Sequence, residues 1–282
     1  MTARLPFIPE RFRREIDRHV VMNYVGLTDW PLVLGIFGRP GDGKSFQARA
    51  HLRERGVEVV SINAADLESD RAGQPGKIVL ARYDEAGQRA YSGVPSVLLI
   101  DDFDTTVGEW EHNTGTVNHQ QVLAQLMHLA DSPTQAADKA LRRVPVFVTG
   151  NDLTKIYPPL RRPGRMRPFT WEPTGPERHA TVASILADLT DDDGVAKLLA
   201  ACGGAPIAFF SDLRTTVVAE SADGLIEELA AVLPDIVNDA RRHHRYLFAE
   251  LRDRRLSQAD LVRLARSQWH QRQVAATSHV DK

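Results

Sequence analysis

The chain has 282 residues, 43% hydrophobic and 26% charged, with a formal net charge of -2 at pH 7. That is an ordinary globular composition, enough for one large domain or two modest ones, and the charge balance argues against a surface built throughout to grip nucleic acid. One cysteine, Cys202, excludes an intrachain disulfide framework and fits a reducing compartment. There is no run of about 18 apolar residues and no signal-peptide pattern at the start, so no membrane span is expected and the expected location is cytoplasmic.

Taken in order, Phe12, Ile16, Val20 and Tyr24 recur at helical spacing and predict an amphipathic helix over residues 10–24. Its arginines, Arg11, Arg13, Arg14 and Arg18, read first as a solvated face and second as a contact with a neighbouring subunit. Residues 31–37 are an apolar run of buried-strand type. They lead into Gly38-Arg39-Pro40-Gly41-Asp42-Gly43-Lys44-Ser45, and residues 46–52 continue as a helix. This is G-x-x-x-x-G-K-S between a strand and a helix, the phosphate-binding loop of nucleotide hydrolases.

The residue types follow from the ligand. Backbone N–H groups must close around a triphosphate, and glycine permits both the turn and the close approach. The helix N-terminus adds unpaired N–H groups and a favourable dipole. Lys44 is expected to reach the β- and γ-phosphates, Ser45 to ligate Mg²⁺, and Gly38 through Phe46 to line the nucleotide.

A second strand is predicted over 57–62, then a polar loop over 63–76 that is longer than a mere connector, then a helix from Pro75 to about Tyr91. The apolar residues 97–100 run directly into Asp101-Asp102. A strand ending in paired carboxylates, downstream of a phosphate loop, predicts Asp101 as the Mg²⁺ residue acting through its waters, and Asp102 as the group that polarises the attacking water. A helix over 117–130 and a strand over 144–149 follow. The strand ends at Gly150-Asn151-Asp152, and Asn151 is a candidate to position water against the γ-phosphate.

Arg161, Arg162 and Arg165 surround a Pro163-Gly164 turn. A guanidinium there can stabilise a transferring phosphoryl group in cis or from a neighbouring subunit. Residues 171–177 read as a boundary: strands alternate with helices upstream, and helices alone follow, at about 177–188, 193–201, 206–220, 222–232 and 235–272. Thr174 and Glu177 form a capping-box pattern. Arg214 falls in the third of these helices, and Arg241, Arg242, His243, His244 and Arg245 make the last one basic. The predicted division is therefore an α/β nucleotide-binding part over 1–173 and an α-helical part over 174–282 with a C-terminal extension.

The order of phosphate loop, acidic strand, polar-tipped strand, arginine turn and helical lid resembles the AAA+ ATPases. It resembles, more closely, Rubisco activase of the green type. The likeness rests on Gly43-Lys44-Ser45-Phe46-Gln47, Leu67-Glu68-Ser69, Arg82-Tyr83, Ile100-Asp101-Asp102-Phe103-Asp104, Asn118, Leu126-Met127, Val148-Thr149-Gly150-Asn151-Asp152, Arg162 with Gly164-Arg165-Met166, and Phe209-Phe210 with Leu213-Arg214. These stretches span about residues 5–220.

The resemblance implies an α/β AAA+ core with a parallel sheet flanked by helices, followed by an α-helical lid. It also implies ATP and Mg²⁺ as cofactors, a homo-oligomer (a hexameric ring) and a protein client such as Rubisco. By the same resemblance Asn151 is a sensor of the phosphate, Arg162 and Arg165 face a neighbour's ATP, Arg214 senses the γ-phosphate from the lid, and residues 68–74 form a pore-facing loop. Plant activases carry a further N-terminal domain, whereas this sequence starts almost at the core. Two alternatives stand beside an activase: a remodeller of another client, and an ATPase linked to nucleic acid through the basic stretches at 11–18 and 241–245.

Overall fold

The computed structural model describes residues 6–27, 29–63, 67, 74–104, 117–136, 139–243 and 256–278. The chain divides into two compact units, residues 8–172 and residues 173–282, the second also taking in the N-terminal segment that ends at Phe7.

In the first unit the described α-helices and strands are α1 (Glu10–Tyr24), β1 (Val33–Phe37), α2 (Lys44–Glu54), β2 (Glu58–Ile62), α3 (Gln74–Tyr91), β3 (Ser96–Ile100), α4 (Val117–Asp131), a short antiparallel hairpin of β4 (Gln135–Ala136) and β5 (Lys139–Ala140), β6 (Val146–Gly150) and β7 (Met166–Thr170). Five of the strands form one parallel sheet in the order β2-β3-β6-β1-β7. Strands β1, β3 and β6 are buried along their whole length. Such strands need apolar cover on both faces, and the sequence supplies it with period two. Val33, Phe37, Leu98, Ile100, Val146 and Val148 join one core with Val79 and Tyr83 of α3 and Leu126 of α4. Leu34, Ile36, Leu99 and Phe147 join the other with Phe12 and Ile16 of α1 and Leu52 of α2.

Strand β7 has no counterpart among the predicted strands. Its sequence, Met166-Arg167-Pro168-Phe169-Thr170, carries an arginine and a proline and is only partly buried. Proline is tolerated because β7 is an edge strand, paired on one side only, to β1.

The second unit contains α5 (Gly175–Ile185), α6 (Asp192–Ala201), α7 (Ile207–Ala231), α8 (Leu233–Asn238) and α9 (Gln258–Ser278). The Thr174–Glu177 capping box is present: the Thr174 hydroxyl accepts from the Glu177 N–H, and the Glu177 carboxylate accepts from the Thr174 N–H. Two predicted helices, 206–220 and 222–232, are one continuous helix, α7. The predicted 235–272 helix is instead interrupted at Asp239, where the backbone leaves the helical region at φ -136 and ψ 66. Helix α9 folds back on α6, with Leu261 and Ala265 buried in one cluster with Val195, Leu198, Phe209 and Phe210. Arg272 ion-pairs with Asp212. Among the described residues no helix is long and apolar enough to cross a membrane.

Candidate functional site

All strands of the five-stranded sheet are parallel, so the segments following β1, β3 and β6 emerge at the same end. In open α/β sheets that end is where ligands bind. Because β6 lies between β1 and β3, the polar tip of β6 separates the phosphate loop from the acidic pair and touches both.

The loop after β1 turns through Gly41 (φ 79) and Gly43 (φ 78), both left-handed. Gly43 caps α2 without any side-chain hydrogen bond, so the first-turn N–H groups of α2 are left to a ligand. Gly38 meets a different demand. A Cβ there would lie 2.0 Å from the Trp171 carbonyl oxygen. Trp171 follows β7, donates its N–H to Phe37 O at 2.6 Å and its indole N–H to Asp42 O at 3.0 Å, and so fastens both ends of the loop. Arg39, Pro40 and Gly41 are exposed, Asp42 is buried, and Phe46 is 63% exposed on the first turn of α2.

Lys44 is buried at 7% exposure. Its ammonium fills its three donors with Gly38 O (2.7 Å), Arg39 O (3.1 Å) and Asn151 Oδ1 (3.1 Å). Burial pushes its pKa down, and the carboxylates of Asp104, Asp42 and Asp102 pull it back up in part. Lysine and asparagine, 107 positions apart in sequence, are thus in direct contact.

A second connection runs through Thr149, which is fully buried. Its hydroxyl donates to Asp101 Oδ1 at 3.0 Å, lies 2.9 Å from Ser45 Oγ, and accepts from the Asp102 N–H at 3.4 Å. A hydroxyl has one proton, and Thr149 spends it on Asp101. Ser45 is then the donor toward Thr149, which leaves the Ser45 lone pairs for a cation. Asp101 Oδ2 ion-pairs with Arg49 of α2. Asp102, exposed at the strand tip, has φ 49, the one positive φ outside glycine among the described residues. Such a backbone is held by its surroundings and recurs at functional positions. Asp104 Oδ2 accepts from the N–H groups of Asn151 (2.9 Å) and Asp152 (3.0 Å), while its Oδ1 is buried without a partner.

Four site features lay beyond the motif: the bridging Thr149, the brace Asp104, the pairing of Arg49 with Asp101, and the clamp Trp171. Thr149 carried a faint signal, a hydroxyl next to the end of an otherwise apolar strand. Asp104 sat within the acidic stretch but had no role assigned.

The arginines part company. Arg165 is held by Asp131 through two parallel bonds (2.7 and 2.6 Å) and donates to Pro159 O at 3.0 Å; the Asp131 hydrogen bond raises its pKa. Arg162 is exposed and makes no ion pair among the described residues. Arg214 belongs to the second unit, where its Nε and Nη2 donate to Asp188 at 3.0 and 2.5 Å and that bond raises its pKa. Residues 68–73 of the expected pore loop, and His244 and Arg245 of the basic run, lie outside the described residues.

The residues present fit a nucleotide with Mg²⁺. Uncapped N–H groups, a buried lysine and a hydroxyl with outward lone pairs converge at one sheet end. Among the described residues no three His, Cys, Asp or Glu side chains are arranged to hold a metal by themselves, so a cation would take its remaining ligands from water and phosphate, as Mg²⁺ does.

Residues 34–173 match the family described as ATPase family associated with various cellular activities (AAA). The chain is 38% identical over 235 residues to ribulose bisphosphate carboxylase/oxygenase activase of an Anabaena species, covering 79% of this chain and 56% of that protein. It is 36% identical over 233 residues to the chloroplastic activase 1 of Larrea tridentata (79% and 49%) and 37% identical over 221 residues to the chloroplastic activase of Zea mays (75% and 51%). The chain spans about half the length of the curated relatives it matches.

Proposed function

We propose, from the match of residues 34–173 to the AAA ATPase family, that the protein is a ring-forming ATPase that spends ATP hydrolysis on remodelling a protein client, and that the client is Rubisco. The observation that carries the site is the double link across β6: Lys44 to Asn151, and Ser45 through Thr149 to Asp101. It ties the phosphate loop, the sensor position and the acidic tip into one constellation.

In this reading Lys44 and the first-turn N–H groups of α2 hold the phosphates, and Ser45 and Asp101 hold Mg²⁺. The bound cation supplies charge neutralisation at the β- and γ-phosphate oxygens. Asp102 orients the attacking water and accepts its proton. Asn151 exchanges its bond to Lys44 for one toward phosphate. Arg162 serves a neighbouring subunit's site from the turn that Arg165 braces through Asp131, and Arg214 serves the γ-phosphate. Three of the four arginines of α1 are engaged within the chain, which weighs against a nucleic-acid role for that stretch: Arg13 is paired with Glu54, Arg18 with Glu15, and Arg11 lies 4.8 Å over the Trp171 ring.

The test is an ATPase assay with and without purified Rubisco bound to an inhibitory sugar phosphate, reading hydrolysis and recovered carboxylation together. ATP-dependent recovery that disappears in Lys44→Ala is expected. Undiminished hydrolysis in Lys44→Ala would sink the site; hydrolysis with no recovered carboxylation, and no Rubisco large subunit in a pull-down, would sink the client.

A further inference from the structure

Asp101 has both carboxylate oxygens engaged by the protein. Oδ1 accepts from Thr149 at 3.0 Å, and Oδ2 ion-pairs with Arg49. Arg49 stands one helical turn after Ser45 on α2, so one helix carries both the hydroxyl expected to ligate Mg²⁺ and a fixed positive charge at the carboxylate expected to hold it. The guanidinium has a second anchor: Nη1 donates to Ser61 Oγ of β2 at 2.6 Å. An arginine fixed at both forks is a positioned group and not a wandering surface charge.

We propose that Arg49 is a positioning residue for the Mg²⁺ step. It fixes the Asp101 carboxylate through Oδ2, and its charge offsets the single negative charge that Asp101 offers a cation. With Asp101 so neutralised, Ser45 and Asp101 make no site for bare Mg²⁺. The cation is held only once phosphate oxygens supply further negative charge, so it enters and leaves with the nucleotide. This rests on the assignment of Ser45 and Asp101 to Mg²⁺ made above.

The experiment uses the full chain and a fluorescently tagged ADP, whose binding is titrated with free Mg²⁺ set by a chelator buffer. Arg49→Gln removes the charge. The Mg²⁺ midpoint is expected to fall about five- to tenfold, because a repelling charge beside the cation is gone. Turnover at saturating Mg²⁺ is expected to fall as well, because Asp101 is no longer held. Arg49→Lys, which keeps the charge, should keep the wild-type midpoint. A merely structural role would lower the melting temperature and turnover while leaving the midpoint in place. A midpoint unchanged or raised in Arg49→Gln overturns the proposal. Should that variant fail to fold, Ser61→Ala, which loosens the guanidinium, must shift the midpoint in the same direction by a smaller factor; no shift there overturns it equally. Failure of the underlying assignment looks different: wild-type chain whose binding of the tagged ADP does not depend on Mg²⁺ at all.

Discussion

His19 shows how one side chain can carry a pH dependence for the first unit. It is fully buried against Phe147, with Nε2 3.1 Å from Leu32 O and 3.2 Å from Val146 O, while Nδ1 accepts from the Trp30 indole at 3.2 Å. Two carbonyl partners require the proton on Nε2, and the indole requires Nδ1 to be bare, so the neutral ring is fully used. Burial lowers its pKa from 6.5 to about 3, against the two carbonyl bonds, which favour the charged form. An unfolded chain takes up this proton near pH 6.5 and the folded one does not, so stability is lost as pH falls through the window from about 6.5 to about 3. The slope is about 1.4 kcal/mol per unit. Urea unfolding at pH 7 and pH 5 should therefore differ by about 2 kcal/mol more in the wild type than in His19→Gln; equal differences would reject the assignment. The sequence did not reveal this residue. Its apolar spacing named Phe12, Ile16, Val20 and Tyr24, whereas α1 buries Phe12, Glu15, Ile16, His19 and Asn23. Asn23 is there for the same reason as His19: it donates to His19 O and accepts from Arg143 Nε at 2.9 Å. An apolar count cannot see a face that buries polar groups to satisfy backbone and side-chain partners.

Among the elements, the phosphate loop was legible in full because its glycines and lysine answer to a ligand and are local in sequence. What holds the loop is not local. Trp171 arrives from 129 positions beyond Asp42, carried there by the unpredicted edge strand β7. Gly38→Ala tests that clamp. Its Cβ would meet a backbone carbonyl at 2.0 Å, so backbone must move rather than a flexible side chain. The expected cost is about 2–4 kcal/mol by denaturant unfolding, with tagged-nucleotide binding lost in parallel. A variant as stable as wild type would show that the loop is not fastened by Trp171. The helical elements were located less well. Ser221 gave no reason for a break: its hydroxyl donates back to Val217 O at 2.7 Å within α7, and the helix runs on to Ala231. The reverse held at Asp239, where a continuous pattern hid a residue with non-helical backbone.

For the whole molecule, the proposed ring makes each site the joint property of two subunits. The two candidate arginines are not equivalent. Arg165 is committed to Asp131 and Pro159 O of its own chain, which suits a brace for the turn, while exposed Arg162 suits the residue that reaches a neighbour. Arg162→Ala and Lys44→Ala should each lose turnover alone. Mixed in equal amounts and reassembled, they should recover up to about a quarter of wild-type activity, since one neighbour pair in four then joins an intact loop to an intact arginine. No recovery on mixing, with assembly intact, would place Arg162 in cis or outside the site.

By itself the sequence determined the fold class and the chemical content of the site. The phosphate loop, the Asp101-Asp102 tip and Asn151 each follow an apolar strand, and a chain of alternating strands and helices has to form a parallel sheet. Tertiary structure decided how those parts act on one another. The strand order inserts β6 between β1 and β3, and that alone makes Thr149 the bridge from Ser45 to Asp101, Asn151 the partner of Lys44, and Asp104 the brace beneath both. The physical reason is that a hydrogen bond depends on which strands are neighbours. Neighbourhood in a parallel sheet is set by how both faces are covered, and not by the order in which the strands are written.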